Sequence, residues 1–444
     1  MALIALTLVA IGVPFIFIVP GITGIMIAAA PLGLLIVLLM VINPYPFWLG
    51  YFFLVPILLI LEDLFPLGSF TRFFGLFIVV LTIPYILLSK RKANFKVTAV
   101  GASLLFFFVG CCLSLLGAWF IEKALLEVGV FLGNLFLYWI CVNLFSTEKR
   151  LRMVLDLFIF SMMIQSVTAV IMLFYGHPLA RAMGTITDPN AFGFWLLPFI
   201  TISFYLGFGA NKWWKKIFYF SAFLFMTLAL PLSYSRSMLL IFVPLEVFLF
   251  LRFKKPLLGV LLLVAGIGGF YIAFQEYFVM SGLNLMSFFT ATRVGSIKWR
   301  SHFVLKSVEM FLDRPLFGVG NRCFRYMLPY YAEITPHVYS NVTHNAYLEI
   351  LSGSGLVGFV PFIAAIIFAL RNFWRTRRKH VEKKDRKKTL LAEGLLVAFI
   401  AQLGAHFFLS SEHHILLYMF LAFSTIMMNM VLNNKDKDST LRTA

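Results

Sequence analysis

The chain is a succession of apolar runs about as long as a bilayer's hydrocarbon is thick, and this limits its fold more than any single motif does. A helix needs about 20 apolar residues to cross roughly 30 Å of hydrocarbon. Such runs lie near 2–19, 21–43, 45–65, 69–89, 97–118, 125–145, 153–175, 191–209, 217–234, 237–251, 256–275, 345–370, 389–408 and 413–432. Backbone polar groups have no water to pair with in lipid, so segments of this kind fold as helices. Composition excludes the soluble alternative. With 61% hydrophobic and only 13% charged residues among 444, the chain lacks the polar residues that a water-facing surface of this size needs. The expected fold is all-α: a polytopic integral membrane protein with about 12 to 14 transmembrane helices. The lower number applies if the first three runs, parted only by Pro20-Gly21 and Asn43-Pro44-Tyr45-Pro46, hold a re-entrant pair or a broken helix. Met1 to Pro20 lacks a basic flank and a cleavage site, and is expected to be a first span rather than a signal peptide.

The formal net charge of +18 raises nucleic acid as a partner, but the charges sit between apolar runs. Lys90–Lys96, Lys149–Arg152, Lys212–Lys216, Arg252–Lys255, Arg371–Lys388 and the tail after Asn434 hold 26 of the 37 Lys and Arg residues. These loops alternate, as the positive-inside rule requires, so both termini are expected in the cytoplasm. Residues 371–388 read as a cytoplasmic basic loop touching anionic membrane lipid, and no nucleic acid is expected as a partner. The expected organisation is N-terminal transmembrane helices over 1–275, an extracytoplasmic loop over 276–344, C-terminal helices over 345–432 and a cytoplasmic tail over 433–444. In the long loop Ile297, Arg300, Val304, Val308 and Phe311 recur at helical spacing, which predicts an amphipathic helix at the membrane surface. Asp313-Arg314-Pro315 ends it, and Leu316 to Gly320 must turn tightly.

The remaining basic residues face the side that topology keeps poor in them. Arg181, Arg236, Arg293 and Arg300 fall there, and guanidinium grips phosphate oxygens through two parallel hydrogen bonds. For Arg236, in a short hinge between two apolar runs, snorkelling towards water is the competing explanation. Asp188-Pro189-Asn190 reads as a turn and helix start as readily as part of a site. Ser233, Ser235 and Ser237 suit helix-end hydrogen bonding, with no partners at triad spacing. His344 opens a helix at the membrane surface and could take a proton from a hydroxyl, since a free imidazole titrates near pH 6.5. His413-His414 could bind a metal but more simply anchors a helix end. No histidine lies in a metal-binding spacing, so no structural metal is expected. Gly318-x-Gly320 is not a dinucleotide fingerprint, because the third glycine position is Cys323 and no βαβ unit surrounds it. No cofactor is expected. Glu246, Glu349, Glu393 and Asp156 lie in apolar runs, at a cost that either pairing or catalysis could offset. The four cysteines, Cys111, Cys112, Cys141 and Cys323, imply no disulfide framework.

Taken in order, these clusters resemble the O-antigen ligase and polysaccharide polymerase family of bacterial membrane proteins. The most specific feature is His344-Asn345 followed nine residues later by Gly355-Leu356-Val357-Gly358, which looks like the family's H-N-x9-G-x-x-G signature. Asp313-Arg314-Pro315-Leu316-Phe317-Gly318-Val319-Gly320 precedes it, as in the family. Arg181 with Gly184, Asp188-Pro189-Asn190 and Ser235-Arg236 match its R-x-x-G, D-P-N and S-R elements. The resemblance spans roughly 90–430; the first helices match only in being apolar. It implies a metal-independent glycosyltransferase of the inner membrane, with its site facing the periplasm. The implied donor is a polyprenyl-diphosphate-linked glycan. The implied acceptor is lipid A core for a ligase, or a lipid-linked repeat unit for a polymerase, and the motifs do not separate the two. Arg181 and Arg236 would hold the diphosphate, with Arg293 and Arg300 as weaker phosphate ligands. His344 would activate the acceptor hydroxyl, with Asn190, Asn345, Gly318 and Gly320 supporting the site. A solute or ion transporter explains the helix count equally well, but coupled transport keeps its ionisable groups near the midplane rather than at helix ends. A non-catalytic scaffold would leave His344 without a task.

Overall fold

The computed structural model describes residues 37–58, 70–88, 97–175, 181–186, 188–255, 257, 259, 264, 268, 294–332 and 342–440. Every regular element among them is helical. The helices are α1 (Tyr45–Leu58), α2 (Phe70–Leu88), α3 (Ala99–Leu113), α4 (Ile121–Leu144), α5 (Glu148–Tyr175), α6 (Pro189–Gly209), α7 (Trp213–Leu232), α8 (Arg236–Arg252), α9 (Val294–Asp313), α10 (Phe324–Tyr331), α11 (Ala346–Glu382), α12 (Arg386–Ala405) and α13 (Ile415–Thr440). Among the described residues eight helices are long and apolar enough to cross a membrane: α3 with the short 3-10 turn after it, α4 to α7, and α11 to α13. The expected count of 12 to 14 therefore stands at eight in the described part. The expected spans near 2–19 and 256–275, and most of 21–43, lie outside it.

A helix apolar on all sides belongs at the centre of a bundle, and α6 is that helix. Phe192 to Gly207 is buried without a break. α6 packs on α12 and α7, while α11 lies along α3 and touches α12 and α13. Successive helices run between two ends of the bundle, so the loops separate into two sets. One holds the turns at 145–147, 210–212, 253–255 and 383–385, with the basic residues around them. There the Glu393 carboxylate accepts from Arg252 Nε at 2.6 Å, Arg377 Nε at 2.9 Å and Tyr205 Oη at 3.1 Å. Asp156 accepts from Tyr219 Oη at 2.6 Å. These two intramembrane acids are paired structural groups.

α11 is one helix in outline, 37 residues long, but it breaks at Gly355, where φ is 58° and ψ is −162°. That backbone conformation is essentially closed to any residue with a Cβ. The break frees two carbonyls and two amides, and the 315–320 turn takes all four. Val319 N and Gly320 N each donate at 2.9 Å, to Ser352 O and Gly353 O. Leu356 N and Val357 N donate at 2.8 and 3.2 Å to Pro315 O and Leu316 O. The turn must lie flat on the helix for this. A Cβ on Gly318, whose φ is +69°, would run into the Gly353 carbonyl. Two segments that read in sequence as separate motifs thus form one backbone-paired unit.

α9 ends at Asp313, as the following Arg-Pro predicts, and it has a second, protein-facing side besides the expected stripe. Phe303, Ser307 and Met310 point inward, at 2%, 1% and 0% exposure, and Phe303 and Met310 share a small core with Phe324, Met327 and Leu328 of α10. Val304 and Val308 of the predicted stripe face outward at 37%. α10, an eight-residue helix absent from the sequence reading, gives this side of α9 a small core to pack on.

Candidate functional site

The other end of the bundle gathers the clusters singled out in the sequence. α7 stops at Leu232 because Pro231 and a turn with Tyr234 at φ +52° close it, and α8 starts at Arg236 with Ser235 as its cap. The loop before α6 is tied to this turn: Ala182 N donates to Leu232 O at 3.0 Å and Arg181 Nε to Ser233 O at 2.8 Å. Gln165 of α5 holds the same loop from behind, accepting from Thr185 N at 3.0 Å and donating to Thr185 Oγ1 at 2.7 Å. Asp188 caps α6 by accepting from Ala191 N at 2.7 Å, while Ser235 Oγ donates to Asn190 Oδ1 at 2.7 Å. From the opposite side Arg300 Nη1 of α9 donates to Ser237 Oγ at 3.0 Å.

Arg181, Arg236 and Arg300 are therefore assembled around one five-residue turn, although 119 residues separate the first from the last. Arg236 is also the first residue of α8. The partial positive charge of a helix N-terminus disfavours a cation there by about 0.3–1 kcal/mol and attracts an anion. The named groups at this turn bring three guanidiniums and one carboxylate, that of Asp188. The named groups at the turn therefore carry a net positive charge. Arg293 lies outside the described residues.

His344 stands beside this cluster, close enough for Arg300 and Asp188 to act on its charge. Burial holds its imidazole below the usual pKa of 6.5; Arg300 pushes the same way and Asp188 opposes. The ring is thus neutral at pH 7 and able to accept a proton. Its backbone is left-handed, φ +54°, between two tied residues. Asn345 on one side caps α11, its Oδ1 accepting from Tyr347 N at 3.0 Å and Leu348 N at 3.1 Å. Gly318 and Gly320 do not reach the arginines; they belong to the turn that pairs with the break in α11.

His413 and His414 do not converge with other ligands. Among the described residues no three His, Cys, Asp or Glu side chains are grouped to hold a metal. His414 packs edge-on against Phe194 and Trp195, each at 4.8 Å, and burial first, then His413, lowers its pKa to about 3. Cys323 is buried, and burial together with Glu349 and Glu127 raises its thiol pKa to about 12, far from a reactive thiolate.

Sequence reasoning missed a buried ionic group behind His344. Arg322, φ +50°, lies 3.3 Å from Glu127 Oε1 and 3.5 Å from Glu412 Oε1. Glu349 is part of the same electrostatic group. The available signal was the isolated acids near the outer ends of apolar runs, of which only Glu349 stood out.

Fold and site together define a multi-pass helical membrane protein with a cationic, histidine-bearing site at one end of its bundle. Residues 221–363 match the family model described as O-Antigen ligase, and the match supports the O-antigen ligase family, whose members are glycosyl-transferring membrane enzymes of ligase or polymerase type. The matched segment holds the Ser233–Ser237 turn, Arg300, the 313–320 turn, His344 and the break in α11; Arg181 and Asn190 precede it. No curated protein matches the chain.

Proposed function

We propose that this protein is a glycosyltransferase of cell-surface polysaccharide synthesis in the bacterial inner membrane. It moves a glycan from a polyprenyl (undecaprenyl) diphosphate donor to an acceptor hydroxyl at the outer leaflet. The convergence of Arg181, Arg236 and Arg300 on one turn beside a neutral His344 carries this reading. His344 takes the proton of the acceptor hydroxyl as its oxygen bonds to the anomeric carbon of the donor sugar. The bond from that carbon to the diphosphate breaks, and polyprenyl diphosphate leaves with the electron pair. Negative charge grows on the leaving oxygens, where two or three guanidiniums and the α8 N-terminus neutralise it, so the step calls for no metal ion. Asn190 and Ser235 fix the turn that carries Arg236. α9 covers the site or guides the polyprenyl tail.

The deciding experiment follows the lipid-linked glycan in the producing strain after deletion of this gene. Long chains stranded on the polyprenyl lipid identify a ligase acting on lipid A core. Single repeats that fail to lengthen identify a polymerase acting on a lipid-linked repeat unit. An unchanged glycan profile removes the proposal.

Arg236→Lys should lower turnover about 10- to 100-fold although charge is kept, because an ammonium ion cannot bind two phosphate oxygens in parallel. Turnover of the purified variant near that of the native enzyme would remove Arg236 from the site. The pH profile gives an independent check. A depressed imidazole pKa leaves His344 neutral down to below pH 6.5, so the acidic limb of kcat/KM should fall below that value. Arg300→Gln should move the limb to higher pH, since a nearby cation is lost. Asp188→Asn, which still caps α6, should move it lower. A limb that ignores both changes belongs to another group.

A further inference from the structure

The carboxylate of Glu349 is 2% exposed, and it lies one turn inside α11, where an acid is costly. Its Oε2 accepts from Thr343 N at 3.2 Å and from Ser410 Oγ at 3.1 Å, and stands 2.8 Å from Thr343 Oγ1. The same Thr343 hydroxyl is 2.9 Å from both Asn345 O and Ser410 Oγ, and accepts from Asn345 N at 3.2 Å. Thr343 is therefore the node joining Glu349 on α11 and Ser410 on the α12–α13 loop to the residue after His344. A left-handed backbone at a residue other than glycine persists only where its surroundings hold it. At His344 the holders are Thr343 and Asn345, one tied to Glu349 and the other to the first turn of α11.

We infer that Glu349 is a positioning residue for the proposed reaction: through Thr343 it fixes the left-handed His344 and so the direction in which the imidazole meets the acceptor hydroxyl. The inference rests on the general-base role proposed above for His344. The charges that chiefly act on the imidazole are those of Arg300 and Asp188. Glu349 thus acts by geometry, as the acceptor that holds Thr343. A neutral side chain that still presents an oxygen to Thr343 should serve nearly as well. Losing the Thr343 hydroxyl should misdirect the ring without touching the arginines that hold the donor.

The test compares Thr343→Val, Glu349→Gln, Glu349→Ala and His344→Gln in the full-length protein. Each is purified in detergent and assayed with lipid-linked glycan extracted from the deletion strain. Thr343→Val keeps the side-chain shape and the backbone N–H. It should lower kcat at least tenfold while the donor KM stays within twofold and thermal unfolding stays near native. Glu349→Ala should lower kcat similarly, and Glu349→Gln should restore at least a third of it with an unmoved acidic limb. If Glu349→Ala does not fold, Thr343→Val and Glu349→Gln decide alone. Native kcat in Thr343→Val overturns the inference. So does a Glu349→Gln as impaired as Thr343→Val, which would mean that charge and not geometry matters. If His344→Gln is inactive while Thr343→Val is native, only the positioning role fails. If His344→Gln transfers glycan normally, the general-base proposal fails first.

Discussion

His344→Gln should yield a protein that inserts, folds and binds donor yet transfers glycan about 10²- to 10⁴-fold more slowly, the range a positioned general base supplies. Glutamine approximates the reach of the imidazole and can hydrogen-bond the acceptor hydroxyl, but it cannot take the proton as the new bond forms. The native ring is ready for that task because burial, helped by Arg300, keeps it neutral at pH 7. Two effects must be separated, since the left-handed backbone at 344 also matters. Asparagine tolerates that conformation better than most residues. His344→Asn should therefore match native stability and remain as inactive as the glutamine variant. The measurement is initial transfer rate beside unfolding temperature in the same detergent. Transfer at a native rate by either variant would refute the base.

Gly355→Ala should be strongly destabilising. Alanine cannot hold φ 58° with ψ −162°, and a Cβ there would collide with the Leu316 carbonyl and the Phe317 amide. Relief requires either continuing α11 as an unbroken helix or lifting the 315–320 turn. Both sever the four backbone hydrogen bonds that join them. Backbone strain of this kind costs about 1–3 kcal/mol, and each buried amide or carbonyl left unpaired adds a further ~1–3 kcal/mol. A loss of about 3 kcal/mol or more is expected, seen as a lower unfolding temperature and poor yield of folded protein. Native stability in this variant would mean that the break is not required.

The sequence made the spans legible wherever an apolar run was bounded by caps and breakers. Residues 191–209 were expected as a span and form α6, Pro189–Gly209, because Asp188 and Pro189 mark its start and no charge interrupts it. The expected spans 153–175, 217–234 and 389–408 begin three to five residues earlier as α5, α7 and α12, since charged and aromatic first turns were counted as loop. The candidate arginines were legible as cations on the side expected to be poor in them, and His344 as an imidazole at a helix start. What brings them together was not. Gln165 behind the 181–186 loop, Ser410 beside Thr343, and Arg322 between Glu127 and Glu412 are contacts across 20 to 195 residues that no local pattern encodes. The protein-facing side of α9 was not legible for the same reason: periodicity tells that a helix has two faces, and only its neighbour decides what the second one packs on. Glu393 and Asp156 left pairing or catalysis open in sequence; Arg252, Arg377, Tyr205 and Tyr219 supply the pairing.

The pairing between the turn and the break makes the interval from Asn345 to Gly355 a ruler. Over those ten steps a helix advances about 15 Å, and each residue adds about 100° of rotation. The capped end carries the proposed base, and the broken end is clamped to residues 315–320. One inserted or deleted residue between them would swing His344 about a quarter turn around the helix axis while the clamp stayed still. The spacing can therefore not drift by a residue, whereas the intervening side chains that do not hold Thr343, as Glu349 does, can change. Length, more than composition, is what this stretch has to keep.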